Sequence, residues 1–356
     1  MRPVADEGFA GVTAGDTGAG RRDRAASRAP TDRTRGCPGL TIRHILVPVD
    51  GSAVAECALP FAAALGSVLS ARITLLRVLA IPRGRVDPVE WELVRAEAGG
   101  HLARLDSRLR ARRLTSMTTV LEGRPAEQII HFAKAHHVDL IVLSSHGEGG
   151  LTGWVLSSTA QKVVARTHSS ILVVPAYATE SSCTSERRFG KILLPLDCSP
   201  RAECVLPFAA SLARAHHAQL ILIHVVPVPE LPRRMPPSAE DLALAHRLTE
   251  RNREESERYL RTVSDDLTAQ GIRVQTHAVV ATPRPRVILE IAEREDADLI
   301  VACAHGATGE ASERYGSTAA HLLQSSDRPI LVLQDLAEAV RDATRAADAA
   351  RARGGH

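Results

Sequence analysis

The sequence predicts an α/β fold made of two tandem five-stranded parallel-sheet domains, and three observations predict it. Short apolar runs of strand length alternate with segments whose apolar residues recur at three- and four-residue spacing, the pattern of consecutive β-α-β units. The whole series then occurs a second time. Aromatic residues make up only 3% of the 356 residues, so Val, Leu, Ile and Ala must fill the core, as in a parallel sheet covered by helices on both faces.

Residues 1 to 40 are rich in Gly, Ala, Arg, Asp and Thr and carry turn formers such as Pro30 and Pro38, so a disordered leader is expected there. A first domain follows over 41–176. Its strand candidates are His44 to Asp50 (HILVPVD), Ala71 to Leu79 (ARITLLRVL), Ser116 to Gly123 (SMTTVLEG), Asp139 to Gly147 (DLIVLSSHG) and Ser169 to Pro175 (SSILVVP). Ala126 to Val138 has helical spacing. A linker rich in Ser, Thr and charge spans 177–188, and a second domain spans 189–335. Its runs are Lys191 to Asp197 (KILLPLD), Gln219 to Pro227 (QLILIHVVP), Ile272 to Ala281 (IRVQTHAVVA), Asp298 to Gly306 (DLIVACAHG) and Arg328 to Leu333 (RPILVL). Residues 336–356 form an Ala- and Arg-rich tail whose composition suits a helix.

The two series match motif by motif. LVPVD-G-S faces LLPLD-C-S, LPFAAAL faces LPFAASL, DLIVLSSHG faces DLIVACAHG, and ILVV faces ILVL. Asp50 and Asp197 are 147 positions apart whereas Gly147 and Gly306 are 159 apart, so the second copy holds 12 more residues between these landmarks. The surplus falls at Pro227 to Pro237 and a long charged helix from about Ala239 to Gln270. A repeat of this length is a domain duplication, since solenoid units run about 20 to 50 residues.

Composition narrows the function. A net charge of +3, carried by scattered Arg, marks no nucleic-acid patch, and so few aromatics argue against base stacking. The six cysteines include no C-x-x-C pair, so neither a zinc site nor a disulfide framework is expected and reduced thiols are. The N-terminus lacks a signal-peptide apolar region and no run approaches the length needed to span a bilayer, so the expected place is the cytoplasm, away from membranes.

Ligands of open parallel sheets bind outside the strand carboxyl ends. Asp50 and Asp197 end the first strand of each copy, where a carboxylate can accept from a base amine or a ribose hydroxyl, or can simply cap the next helix together with Ser52 or Ser199. The fourth strands end in Ser144-Ser145-His146-Gly147 and Cys303-Ala304-His305-Gly306. Small residues there let backbone approach a ligand, and a helix N-terminus beyond suits phosphate. Nearby lie Ser157-Ser158 and Gly316-Ser317, where a hydroxyl and backbone N–H groups can meet a second phosphate. His146 and His305 can act as bases or phosphate partners, but no candidate nucleophile or orienting acid travels with them, so no catalytic residue is assigned. His136-His137 and His216-His217 fall near helix C-termini and are not read as metal sites; Trp91 reads as a packing or lid residue.

Both halves resemble the universal stress protein family, through G-x9-G-S from Gly306 and G-x9-S-S from Gly147. The resemblance implies a Rossmann-like domain of the adenine nucleotide α-hydrolase type with ATP across the strand ends, with or without Mg. It implies that Pro48, Asp50 and Val78 contact adenine and ribose while Ser144, Gly147, Ser157 and Ser158 hold phosphates, with His146 beside them. In the second copy the matching residues are Pro195, Asp197, Val225, Cys303, Gly306, Gly316 and Ser317, with His305. Because Ser tolerates positive φ less well than Gly, the final turn is expected to be better formed at Gly316 than at Ser157. The implied role is that of an ATP-binding stress-response protein acting by conformation or partner contacts, its two halves packed as a pseudo-dimer, with a homodimer of chains as a further assembly. Two alternatives stand beside it. One is an ATP-cleaving or adenylyl-transferring enzyme, although Val49-Asp50-Gly51-Ser52 occupies the place of its S-G-G-x-D-S loop; the other is a nucleotide-free interaction module.

Overall fold

The computed structural model describes residues 41–82, 87–146, 156–176, 187–229, 238–307 and 314–335. The expected leader, the tail, Gly147 and all of the expected linker except Arg187 and Arg188 lie outside them. The first half runs β1 (His44–Pro48), α1 (Ala53–Glu56), α2 (Leu59–Leu69), β2 (Arg72–Leu79), α3 (Pro88–Ala111), β3 (Ser116–Glu122), α4 (Pro125–Ala135), β4 (Leu140–Ser144), α5 (Ser158–Arg166) and β5 (Ser170–Val174). The second runs β6 (Lys191–Pro195), a 3-10 turn (Ala202–Val205), α6 (Leu206–His216), β7 (Gln219–Val226), α7 (Ala239–Thr268), β8 (Arg273–Val280), α8 (Arg284–Arg294), β9 (Leu299–Cys303), α9 (Ser317–Ser325) and β10 (Ile330–Leu333). Strands β1, β4, β6 and β9 stop short of the apolar runs that announced them, because Asp50, His146, Asp197 and Gly306 leave the ladder to build the strand-end loops.

Alternate residues of the central strands feed two cores. Ile45 and Val47 of β1 join Phe61 of α2 and Leu102 of α3, whereas Leu46 joins Ile129 of α4 and Val163 of α5. Burial on both faces explains why the strands read as unbroken apolar runs rather than alternating ones. Prolines fall in the first turns of α2, α3, α4, α6 and α8, where a missing N–H costs nothing. The long α7 starts on a capping box between Ser238 and Asp241.

The strand order is β3-β2-β1-β4-β5-β10-β9-β6-β7-β8, one sheet of ten strands. Within each half all pairs are parallel, and the order reverses between β1 and β4 and between β6 and β9. The halves meet where β5 and β10 pair antiparallel, Ile330 opposite Val173 and Val332 opposite Ile171. Both strands are buried along their whole length, and such strands left as open edges would recruit other chains. Antiparallel pairing also sends the strand carboxyl ends of the two halves to opposite margins of the sheet. Arg187 braces the junction. Its guanidinium lies 4.8 Å over the Phe61 ring of the first half and makes a 3.1 Å ion pair with Asp298 of the second.

No helix among the described residues is long and apolar enough to cross a membrane. The expectation of reduced thiols throughout needs correction, since Cys57 and Cys204 are both disulfide-bonded. Spacing rules recognise cysteines that are neighbours in sequence and are blind to those that folding brings together.

Candidate functional site

At the reversal between β1 and β4 the crossovers diverge and open a cavity of about 570 Å3, lined by Pro48, Asp50, Arg77, Val78, Trp91, Ser144, His146, Ser157 and Ser158 among others. Asp50 Oδ1 accepts from the backbone N–H of Ser52 at 3.0 Å and from its hydroxyl at 2.7 Å. Ser52 Oγ in turn accepts from Ala55 N–H and caps α1. Ser52 is therefore the cap, and Asp50 holds it. Gly51 has φ +96°, and a methyl group built on it would lie 3.0 to 3.2 Å from three atoms of the Arg77 guanidinium, which rests flat against that turn. Trp91, on α3, donates from Nε1 to Glu122 Oε1 at 3.2 Å and flanks the cavity.

The far wall is the end of β4. Ser157 N–H donates to the Ser145 carbonyl at 2.8 Å, which pins the start of α5 against the strand end, and Ser157 Oγ caps α5 by accepting from Ala160 N–H. Ala176 N–H donates to Ser145 Oγ at 3.1 Å, and that oxygen lies 3.0 Å from His146 Nδ1. Ser144 is 7% and His146 4% exposed, yet Ser144 Oγ and His146 Nε2 have no hydrogen-bond partner. Two buried polar atoms left unpaired in a cavity wall are costly unless something else occupies the cavity.

The corresponding cavity of the second half, about 350 Å3, is lined by Pro195, Asp197, His224, Val225, Arg284, Cys303, His305, Gly306, Gly316 and Ser317 among others. Asp197 Oδ1 accepts from Ser199 N–H at 3.1 Å and from its hydroxyl at 2.5 Å. Its Oδ2 accepts from Ala307 N–H at 2.6 Å. A methyl on Gly306 would meet that oxygen at 2.1 Å, so only glycine leaves room for the contact. His305 Nδ1 is 2.7 Å from Asp335 Oδ1, and Arg201 Nε is 2.6 Å from Asp335 Oδ2. Burial pushes the Asp335 carboxyl up, but the hydrogen bonds from His305 and Arg201 outweigh it and hold it below the usual range. Burial also pushes the Cys303 thiol to about 12, and partial shielding from water together with the Asp197 carboxylate takes the Cys198 thiol to about 11, so neither supplies a thiolate nucleophile near neutral pH.

Of the site residues expected from sequence, all but Gly147 lie in the described chain and line these two cavities. Two expectations about them change. Gly316 sits at φ −65° and Ser157 at φ −56°, so neither uses the left-handed region and serine loses nothing there. His305 does have an orienting acid. Asp335 lies 30 residues further along the chain and reaches His305 from the end of the neighbouring strand β10, a proximity no local motif encodes. Sequence reasoning also passed over Arg77 and Arg284, although Arg77 stands between Leu75-Leu76 and Val78-Leu79 near the carboxyl end of β2, which is the available signal.

Residues 41–175 and 188–334 each match the family model described as the universal stress protein family. A universal stress protein of Mycolicibacterium smegmatis is 26% identical over 303 residues, which cover 82% of this chain and 96% of the relative. One from Methanocaldococcus jannaschii is 30% identical over 138 residues, covering 37% of this chain and 81% of the relative. Among solved structures, a universal stress protein from Archaeoglobus fulgidus superposes with a TM-score of 0.56 at 19% identity, covering 83% of this chain and 97% of that one, a likeness of fold.

Proposed function

The chain belongs to the universal stress protein family, and from that premise we propose that it binds ATP at the carboxyl ends of its parallel strands and acts through conformation and partner contacts rather than turnover. The observation that carries the reading is the pair of unsatisfied buried groups, Ser144 Oγ and His146 Nε2, in the cavity wall beside the start of α5. A bound triphosphate supplies acceptor oxygens and negative charge, which suit a hydroxyl, a ring N–H and a helix N-terminus. Pro48 and Val78 offer apolar surface and strand-end backbone to an adenine, and Asp50 offers a carboxylate to a ribose hydroxyl or base amine. The cavity falls within the usual range for small-molecule sites, roughly 300 to 1,000 Å3.

The non-enzymatic part of the reading rests on chemistry. Cys198 and Cys303, the free thiols among the described residues, are held protonated, and the buried His305 is committed to Asp335, so the groups at hand bind and orient more readily than they attack. The test is mass spectrometry of small molecules released on denaturing the purified protein, followed by calorimetric titration with ATP. Recovered ATP and saturable heat are expected, with phosphate release well below about one per second. Absence of both ATP and titration heat would refute the binding reading, and faster turnover would make the protein an enzyme.

A further inference from the structure

A further cavity, of about 770 Å3, lies where the halves meet, between α2 of the first, α6 of the second and the chain entering β6. It shares no lining residue with the strand-end cavities. The two helices line it with small residues, Ala63, Ala64 and Ser67 on α2 and Ala215 on α6, which leave the space open. Its titratable lining is all of one kind: Arg112, Arg187, Arg188, His216 and His217, with no carboxylate among the described lining residues. Asp298 pairs with Arg187 at 3.1 Å, yet Arg187 keeps a buried Nε–H that has no hydrogen-bond partner.

The duplication supplies a control. Arg188, His216 and His217 stand 147 positions after Thr41, Leu69 and Ser70, the offset that separates Asp50 from Asp197. Arg112 N–H and Leu114 N–H donate to the Leu109 carbonyl as Gln270 N–H and Ile272 N–H donate to that of Leu267, so Arg112 matches Gln270. None of the four counterparts is basic. Basic residues beside a helix carboxyl end can serve only to offset its dipole. That role does not account for these, because α2 closes at Ser70 (φ 53°, ψ 35°) with no basic residue in its last turn, in the same left-handed cap that His217 (φ 55°, ψ 34°) gives α6. The scaffold forms without the charges, and only one of its two equivalent places carries them.

We propose that the junction cavity is a second kind of ligand site, which takes a small polyanion carrying two or more phosphate groups on Arg112, Arg187 and Arg188, with His216 and His217 beside them. Guanidinium groups meet phosphate oxygens through paired N–H donors, and several on one concave surface favour a ligand with more than one charged group. The volume suits a small molecule. Arg112 follows α3 of the first half while His216 and His217 end α6 of the second, so a bound ligand ties the halves together where Arg187 already braces them. The site stands apart from the ATP reading and does not depend on it.

The test is calorimetric titration of the full chain with inorganic tripolyphosphate, repeated on an Arg112→Gln, Arg188→Thr, His217→Ser triple variant and on Arg188→Thr alone. Each change installs the residue that the other half carries at its counterpart, and all three positions are exposed, so the packing is left in place; melting curves check this. Any tripolyphosphate taken up at the strand ends is common to parent and variants, so the difference between them reports the junction. The parent is expected to bind one more tripolyphosphate per chain than the triple variant, and Arg188→Thr alone should weaken that site about tenfold. Added salt should weaken it too, and tripolyphosphate should raise the melting temperature of the parent more than that of the triple variant. Equal stoichiometry and affinity in parent and triple variant, or no binding of tripolyphosphate by the parent, would overturn the site whatever ATP does at the strand ends. A parent that binds no ATP but keeps the tripolyphosphate difference would overturn the ATP reading and support this one.

Discussion

At the end of β4, His146 meets a serine hydroxyl from its own neighbour in sequence; at the end of β9, His305 meets a carboxylate that is itself held by an arginine. The backbone around them is nearly the same. Ser157 N–H donates to the Ser145 carbonyl and Gly316 N–H to the Ala304 carbonyl, each at 2.8 Å. The difference comes from two positions outside both motifs. Asp335 stands where the first copy has Ala176, and Arg201 where it has Val54. A duplicated scaffold therefore preserves the place of a cavity while distant substitutions decide which of its polar groups bond to one another.

The largest expected effect tests whether the halves can be compared as parts of one body. Val173 and Val332 are 3% and 0% exposed on the paired strands, and neither has room for a solvated charge. The Val173→Asp, Val332→Asp double variant should lose roughly 5 kcal/mol or more, and both halves should melt together. Calorimetry showing two transitions, one of them at the parental temperature, would mean that each half folds without the other.

Next in size is the second half's charged cluster. Replacing Asp335 by Asn leaves His305 and Arg201 without their carboxylate and should cost about 3 kcal/mol, whereas Ser145→Ala in the first half should cost about 1 kcal/mol. The same group sets a pH dependence. The folded pKa of Asp335 lies below its unfolded value of about 3.9, so its contribution is fully present above that pH and fades as pH falls through the folded value. Chemical denaturation between about pH 5 and pH 2 should therefore show a steeper loss for the parent chain than for Asp335→Asn. Equal slopes would remove Asp335 from the account.

The contrast between the halves also marks how far the sequence could be read. All ten strands and the duplication were legible because burial on both sheet faces leaves unbroken apolar runs, and the Asp and Gly positions were legible because they interrupt those runs at fixed offsets. The continuous sheet was less so, since the apolar edges of β5 and β10 call for cover without specifying a register. The His305–Asp335–Arg201 cluster was invisible, because its members lie on three separate segments that only the folded sheet brings together. The disulfides of Cys57 and Cys204 escaped for the same reason.

A smaller effect separates two glycines of the second half. Gly306→Ala drives its methyl onto Asp197 Oδ2, so the Asp197 bond to Ala307 must break, at a cost of about 1 to 3 kcal/mol. Gly316→Ala meets the Ala304 carbonyl oxygen at 3.5 Å and His305 Cα at 3.9 Å, both ordinary contacts, and should cost only about 0.5 kcal/mol, the loss of a glycine from the N-cap of α9. Urea titrations in which both substitutions cost the same would show that the Asp197 contact does not constrain the loop.

The smallest effect concerns the caps of α5 and α9, the helices that face the two cavities. Ser157 occupies the N-cap of α5 with its side chain accepting from Ala160 N–H, whereas Gly316 occupies the N-cap of α9 and offers no side-chain acceptor. Both residues have extended backbone of nearly the same φ and ψ, so exchanging them introduces no strain: Gly316 is at −65° and 161°, Ser157 at −56° and 155°. Serine at an N-cap is favoured over glycine by a few tenths of a kcal/mol, because its oxygen satisfies one of the orphan N–H groups of the first turn. Gly316→Ser should thus stabilise the chain by about 0.3 kcal/mol and Ser157→Gly should destabilise it by a similar amount. The two changes made together should nearly cancel, since the caps lie at opposite margins of the sheet and share no partner. Denaturation midpoints of the two single variants and the double variant check this directly. A destabilising Gly316→Ser would mean that the start of α9 has no room for the hydroxyl, and the equivalence of the two helix starts would then fail at the side chain while holding in the backbone.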